Sequence, residues 1–288
     1  MRAFAYERPD RLADALMLLA PGADGDRDAR PLAGGTDLII RIRDGSIRPT
    51  TVVDVKGISE FSRDIRAEDG WLRIGARTTM TDLLRDERIQ RDYTALAQAA
   101  AYVGSVQIRN RATLAGNICN ASPAADTAPA LLVYGARVVA VGEGGRRTIP
   151  LDAFFVRSGV TTLAPGELVE AIELPLPAGR RGAVHARRTR RRGHDLASVT
   201  LAVCIGSDGV TRVSYGSVGP RPVVAVDDTG VLADPGARDD ATAERLDQLF
   251  AAAAPSPTSM RASPEYRRAM LRVMGLRAVA AARQRLAS

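Results

Sequence analysis

The chain has 288 residues, 45% of them hydrophobic, which is enough for two domains and a sizeable core. Its formal charge of +7 would suit nucleic acid, but all of its 40 basic residues except Lys56 are Arg. That bias, beside heavy use of Ala, reads as the codon usage of a GC-rich genome, and no aromatic RNA motif or basic helix accompanies it.

Two cysteines, Cys119 and Cys204, cannot build an iron–sulfur cluster alone, which takes four thiolates, and they suggest no disulfide scaffold. The opening MRAFAYERPD lacks the apolar stretch of an export leader, and no run reaches the roughly 18 apolar residues of a membrane span. The expected location is the cytoplasm.

In chain order, PDRLADALMLLAPG sets Leu12, Leu16 and Leu19 on one helical face, with Asp10 as the expected N-cap and Pro21-Gly22 as the stop. The polar GADGDRDAR reads as a surface loop. PLAGGTDLIIRIRDG runs from an extended piece through two glycines into a helix ending at Gly45, and TTVVDV is a β-branched strand. This order makes Ala33 to Asp37 a place where free N–H groups gather before a helix. WLRIGA is a strand, TMTDLLRDERI a helix capped by Thr79 or Thr81, and DYTALAQAAAYVG a helix to Gly104. TLAGNICNASPAAD, residues 113–126, reads as a long ordered loop, followed by the helix TAPALLVYGA and a hairpin turning at Gly144-Gly145. LASVTLAVCIG and VTRVSYGSVG are neighbouring strands. ATAERLDQLFAAAA and SPEYRRAMLRVMGLRAVAAARQRL are helices, the second with Ser263 as N-cap and Pro264 at its first position. Strands followed by helices indicate an α+β unit at the C-terminal end.

With only His185 and His194, a multi-imidazole metal site is excluded and a Ser-His-Asp triad has little to draw on. No G-x-G-x-x-G follows a strand. Backbone chemistry remains. AGGTD alone reads equally as a tight turn, but Gly34 and Gly35 let N–H groups converge on a phosphate. In the second segment Gly116 permits close approach, Thr113 and Asn117 offer side-chain donors, and Asp126 is an acceptor suited to sugar hydroxyls. Two such segments fit a clamped diphosphate. Asp126 reads equally as the cap of the helix beginning at Thr127, Asn117 and Asn120 as turn formers, and Cys119 as a small buried hydrophobe.

PLAGGTDLI, VGSVQIRNRATLAGNICNASPAADTAPALL, GELVEAIELPLP, RRTRRRGHDLASV and SPEYRRAMLRVM together resemble the FAD-binding, or medium, subunit of molybdenum hydroxylases of the xanthine dehydrogenase and carbon monoxide dehydrogenase type. The resemblance implies an α+β fold: an FAD-binding domain over 1–176, with subdomains of about 1–56 and 57–176, then a small α+β C-terminal domain over 177–288. It places the first pyrophosphate loop on Ala33, Gly34, Gly35, Thr36, Asp37 and Leu38. The second falls on Thr113, Leu114, Ala115, Gly116 and Asn117, with Asn120 nearby, Asp126 at the sugar, and Leu168 and Val169 beside the isoalloxazine ring. Ala115 departs from the glycine common there, which matters if that position needs a positive φ. In the Arg cluster, whose other reading is a solvated basic loop, Arg187 falls where a Lys often lies near the ring, and His194 where an aromatic residue is common. The implied role is electron transfer with no catalytic side chain, from two iron–sulfur clusters in a small partner subunit to an external acceptor. A large partner subunit would hold the molybdenum cofactor, in a dimer of heterotrimers. A non-catalytic flavin- or nucleotide-binding or assembly module is the alternative.

Overall fold

The computed structural model describes residues 3–21, 28–191, 193 and 195–288. The helix stop at Gly22, most of the loop reading that begins there, Arg192 and the His194 assignment lie outside the described residues.

Strand β1 (Ala5–Glu7), helix α1 (Leu12–Leu19), β2 (Ala29–Leu32), α2 (Leu38–Arg43) and β3 (Thr51–Asp54) form a parallel sheet ordered β1-β3-β2. The next strands are β4 (Ile65–Glu68) and β5 (Trp71–Gly75). Six short helices follow: α3 (Met80–Arg85), α4 (Glu87–Asp92), α5 (Thr94–Tyr102), α6 (Val106–Arg109), α7 (Leu114–Cys119) and α8 (Thr127–Leu132). The hairpin β6 (Arg137–Gly142) and β7 (Gly145–Pro150) leads through α9 (Leu151–Phe154) and the small pair β8 (Phe155–Arg157) and β9 (Val160–Thr161) to β10 (Leu168–Pro175). These build an antiparallel sheet ordered β4-β5-β10-β6-β7.

Central β10 is buried along nearly its whole length, including Glu170 and Glu173. Both carboxylates are paired: Glu173 with Arg73 at 2.6 Å and Arg137 at 2.7 Å, and Glu170 with Arg146 at 2.8 Å. Pairing of this kind is what lets ionised groups sit within a sheet.

The third sheet is β11 (Arg181–Arg188), β12 (Val199–Gly206), β13 (Thr211–Gly216) and β14 (Val223–Asp227), all antiparallel, with α10 (Asp239–Leu249) and α11 (Pro264–Ala287) behind it. Strand alternation sorts β12 between two cores. Val199, Leu201, Val203 and Ile205 pack with Leu271, Met274, Ala278 and Val279 of α11, whereas Ala202 and Cys204 turn to the core that contains α5 and α8. Small residues on that second face bring the helices close to the sheet, so the two halves of the chain join along it.

Several expected details differ. The first N–H of α1 is satisfied by the Glu60 carboxylate at 3.2 Å, not by Asp10, and the cap position is Arg11. Thr79, not Thr81, caps α3 in a reciprocal box with Asp82, and the single predicted helix breaks at Asp86, whose side chain starts α4. The hairpin turns at Glu143-Gly144, because Gly142 pairs with Gly145. Strand β11 carries Arg187 and Arg188, so the basic cluster is not wholly a loop.

Gly182 of β11 lies so close to α11 that an added Cβ would stand 2.0 Å from the Ala282 carbonyl oxygen. Gly182→Ala should therefore lower stability by about 1–3 kcal/mol, the usual cost of overpacking. Gly144→Ala, where nothing lies within 4 Å, should change little. Urea titration of the two variants checks this.

Candidate functional site

The site begins where β2 gives way to the turn 33–37. Gly35 has φ +78, and a Cβ on Gly34 would meet the Arg111 carbonyl oxygen at 2.2 Å, so only a bare backbone fits there. Lys56 supports this turn from beneath, donating to the Ala33 carbonyl at 3.1 Å while paired with Asp54 at 2.6 Å. Asn120 donates to the Asp37 carboxylate at 3.2 Å and so ties the second segment to the first. Burial raises the Asp37 carboxyl above its ordinary range, with Arg41 opposing.

The second segment is helical where a loop was expected. Thr113 accepts the Gly116 N–H at 3.0 Å as N-cap of α7, and the Leu114 N–H donates to the Thr78 carbonyl at 3.1 Å. Ala115 lies inside this helix, so its side chain meets no positive-φ requirement. Asn117 accepts the Thr127 hydroxyl at 2.5 Å through its amide oxygen. The N–H groups of Gly34, Gly35, Thr36, Asp37 and Ala115 donate to no protein acceptor among the described residues.

These segments flank a cleft of about 600 Å³. Its other end is built by β10 and by the C-terminal half. Leu168 and Val169, at the start of β10 beside a register shift, give an apolar wall. Tyr102 closes α5, and Asp195, Leu196 and Ala197 contribute from the loop after β11.

Arg187 anchors that end. It pairs with Asp126 at 3.0 Å, donates to the Tyr102 carbonyl at 3.2 Å and to the Asp195 carbonyl, and stands 5.1 Å over the Tyr102 ring. Asp126 Oδ1 and Arg187 Nε are buried with no partner. The Asp126 side chain makes no cap bond to α8, so the capping alternative is not realised. Burial pushes Asp126 up to about 6 against the pull of Arg187. Behind it the wholly buried His185 holds Nε2 at 3.6 Å from Asp126 Oδ1, and burial, with Arg187 adding, drives it down to about 3.

Comparison with known proteins matches residues 2–177 to the family described as FAD binding domain in molybdopterin dehydrogenase, and residues 185–282 to the CO dehydrogenase flavoprotein C-terminal domain. The chain belongs to this flavoprotein family. It is 34% identical over 224 residues to the xanthine dehydrogenase FAD-binding subunit of Escherichia coli O157:H7, covering 76% of this chain and 75% of that one. The carbon monoxide dehydrogenase medium chain of Hydrogenophaga pseudoflava is 31% identical over 288 residues, or 99% of this chain and 98% of the relative. Among solved structures, reconstituted CO dehydrogenase from Oligotropha carboxidovorans superposes with a TM-score of 0.89 at 30% identity over 99% of both chains.

The cofactor of the family is FAD, an oxidoreductase cofactor, and the cleft suits it chemically. Unbonded N–H groups beside bare glycines fit a diphosphate, an unpartnered carboxylate oxygen fits hydroxyls, and an apolar wall fits a ring system. Of the residues singled out in the sequence, Ala33, Gly34, Gly35, Thr36, Asp37, Leu38, Thr113, Ala115, Gly116, Asn117, Asn120, Asp126, Leu168, Val169 and Arg187 line this one cleft, whereas Leu114 points its side chain into the core. Thr113, expected to offer a donor, accepts the Gly116 N–H as a helix cap and keeps its O–H to donate. Cys119 lies on the cleft wall with burial pushing its thiol up to about 12, which keeps it protonated and inert.

Sequence reasoning missed Lys56, Tyr102 and His185. Tyr102 closes a helix two residues before Gly104, which was the one available signal. Lys56 meets the site through Ala33, and His185 through Asp126, both far along the chain.

The Asp126–His185 pair gives a pH test. A carboxyl titrating near 6 when folded but near 4 when unfolded loses stability as pH rises between those values, because the unfolded chain ionises first. His185, depressed to about 3 from 6.5, does the opposite and adds stability as pH rises through the same window. The two slopes cancel in wild type. Asp126→Asn should unmask His185, making the folding constant rise about tenfold more steeply per pH unit between about pH 4 and 6. Parallel slopes for the two proteins in urea titrations would show that this pair does not set the dependence.

Proposed function

We propose that this chain is the FAD-carrying, electron-transferring medium subunit of a three-subunit molybdenum hydroxylase, and that the cleft between the glycine turn, the start of α7 and β11 holds the flavin. What carries the reading is the meeting, in one cleft, of unbonded glycine-loop N–H groups with an apolar wall and the Arg187–Asp126 pair.

In this reading the N–H groups of Gly34, Gly35, Thr36, Asp37 and Ala115 hold the diphosphate, and Asn117 and Asn120 flank it. Asp126 takes sugar hydroxyls on its free oxygen. Leu168 and Val169 exclude water beside the ring system. Arg187, whose charge is fixed at any working pH, stands near the same ring with half its field met by Asp126. Bound FAD supplies electron exchange, singly or in pairs, that no side chain offers.

The partners are a small iron–sulfur subunit and a large subunit with the molybdenum cofactor, arranged as a dimer of heterotrimers in the cytoplasm. Relatives named as medium chains or FAD-binding subunits of dehydrogenases support that assignment, as does the presence of only two cysteines here. No helix among the described residues is long and apolar enough to cross a membrane.

Purified chain should release one FAD per polypeptide and show no substrate-dependent bleaching without its partners. A colourless preparation that refuses added FAD would instead support a non-catalytic module.

The role of Arg187 has its own test. Arg187→Ala should make the two-electron potential of bound flavin more negative, by about 30 mV for each 1.4 kcal/mol of lost stabilisation. Arg187→Lys should shift it less. Arg188→Ala, whose guanidinium instead reaches the Tyr266 hydroxyl at 2.9 Å, should leave it unchanged. Spectroelectrochemical titration that returns one potential for all of them rejects the role.

A further inference from the structure

The segment SPEYRRAMLRVM, which the site described above does not use, contains a buried cation with no counter-charge. Arg267, on the first turn of α11, is 4% exposed and forms no ion pair among the described residues. Its guanidinium is spent on neutral acceptors: the Ser198 carbonyl at 2.7 Å, the Ser217 carbonyl, the Ala262 carbonyl at 3.3 Å and the Ser259 hydroxyl at 2.5 Å. Burying a charge this way costs desolvation that a Met or Leu would avoid. The geometry gained in return lies in where those carbonyls are.

Ser198 directly follows Asp195, Leu196 and Ala197 of the cleft wall, and its N–H closes that loop on the Arg188 carbonyl at 2.7 Å. Ser217 has φ +64, a left-handed conformation that a serine rarely adopts. Its N–H donates at 2.7 Å to the Pro123 carbonyl, one residue before the cleft-lining run Ala124, Ala125 and Asp126. One guanidinium thus fixes the peptides that anchor two of the three partners of Arg187, the Asp195 loop on one side and the Asp126 loop on the other. It touches no atom of the cleft itself.

We infer that Arg267 is a positioning residue for the flavin end of the cleft, holding the Asp126 and Asp195 loops at the spacing Arg187 bridges. The inference rests on the FAD reading above. Arg283 provides the comparison within the same helix. It is also a carbonyl clamp, donating to Val231 at 2.9 Å, Leu232 at 3.0 Å and the Thr242 hydroxyl at 3.3 Å, but none of these lines the cleft. A merely structural role predicts the same behaviour for both residues.

The test uses the 288-residue chain, stripped of flavin and titrated with FAD at a temperature where each variant is folded. The readouts are the Kd and the visible circular dichroism of the bound flavin. Arg267→Met should weaken FAD binding about tenfold or more, the scale of one lost charge-assisted hydrogen bond, and alter the dichroism. Arg267→Lys should recover part of both, and Arg283→Met should lose stability while keeping the wild-type Kd and spectrum.

If Arg267→Met does not fold, Arg267→Lys decides the matter against wild type. Gly216→Ala, whose methyl would stand 2.6 Å from the Thr200 hydroxyl and 2.8 Å from the Pro123 carbonyl oxygen, should likewise weaken FAD binding. A folded Arg267→Met, or failing that Arg267→Lys, with wild-type Kd and dichroism overturns the assignment. Wild-type chain that takes up no FAD overturns the functional reading first, and this inference with it.

Discussion

Two backbones touch at the floor of the cleft, and everything that lines it is arranged around that contact. Gly34 rests against the Arg111 carbonyl at a separation that excludes even a methyl group, so the turn after β2 and the segment leading into α7 share one surface. Once they are that close, N–H groups from both face one space and cannot pair with each other, since both sides bring donors. N–H groups left free by the protein in this way are a binding capacity toward an anion. Lys56 beneath Ala33 and Asn120 across to Asp37 keep the two segments from separating.

The opposite end is governed by charge and not by backbone. Asp126 and Arg187 come from the two halves of the chain, 61 residues apart, and meet in a nearly dry space. Neither is fully satisfied by the other: each keeps a buried atom without a partner. A pair that existed only for stability would be cheaper as two apolar side chains. The unpartnered oxygen and nitrogen leave bonding capacity for a polar ligand at the join between the halves.

The main elements were legible because their signals were local. The long C-terminal helix showed its cap at Ser263 and its Pro264, and β3, β5, β12 and β13 showed short apolar runs. Failures fell where a distant residue decided the outcome. The stretch after Thr113 looked like a loop since Gly116, two Asn and Pro123 are loop residues, yet bonds from Thr78 and a cap by Thr113 hold Leu114–Cys119 as one short helix. The helix from Met80 broke at Asp86, whose side chain accepts the Arg88 and Ile89 N–H groups as the cap of the next helix. The Arg-rich strand β11 hid its strand character behind polar side chains whose partners lie elsewhere. The cleft residues were legible as a set through family resemblance, whereas Lys56, Tyr102 and His185 needed the fold.

The arginine excess takes on a different meaning in the structure. Arg73, Arg137 and Arg146 neutralise two buried glutamates in the central sheet, Arg187 bridges the cleft, and Arg267 and Arg283 each bind several carbonyls at once. A lysine donates from one compact point, whereas a planar guanidinium with five N–H groups spans two or three peptides, as Arg187, Arg267 and Arg283 do. Conversely Lys56, the one lysine, fills a place where a single small cation meets one carbonyl and one carboxylate. Whatever genome supplied the bias, the fold has used the geometry of the side chain, and a positive net charge assembled from guanidinium groups so engaged leaves that much less free cation for a polyanion.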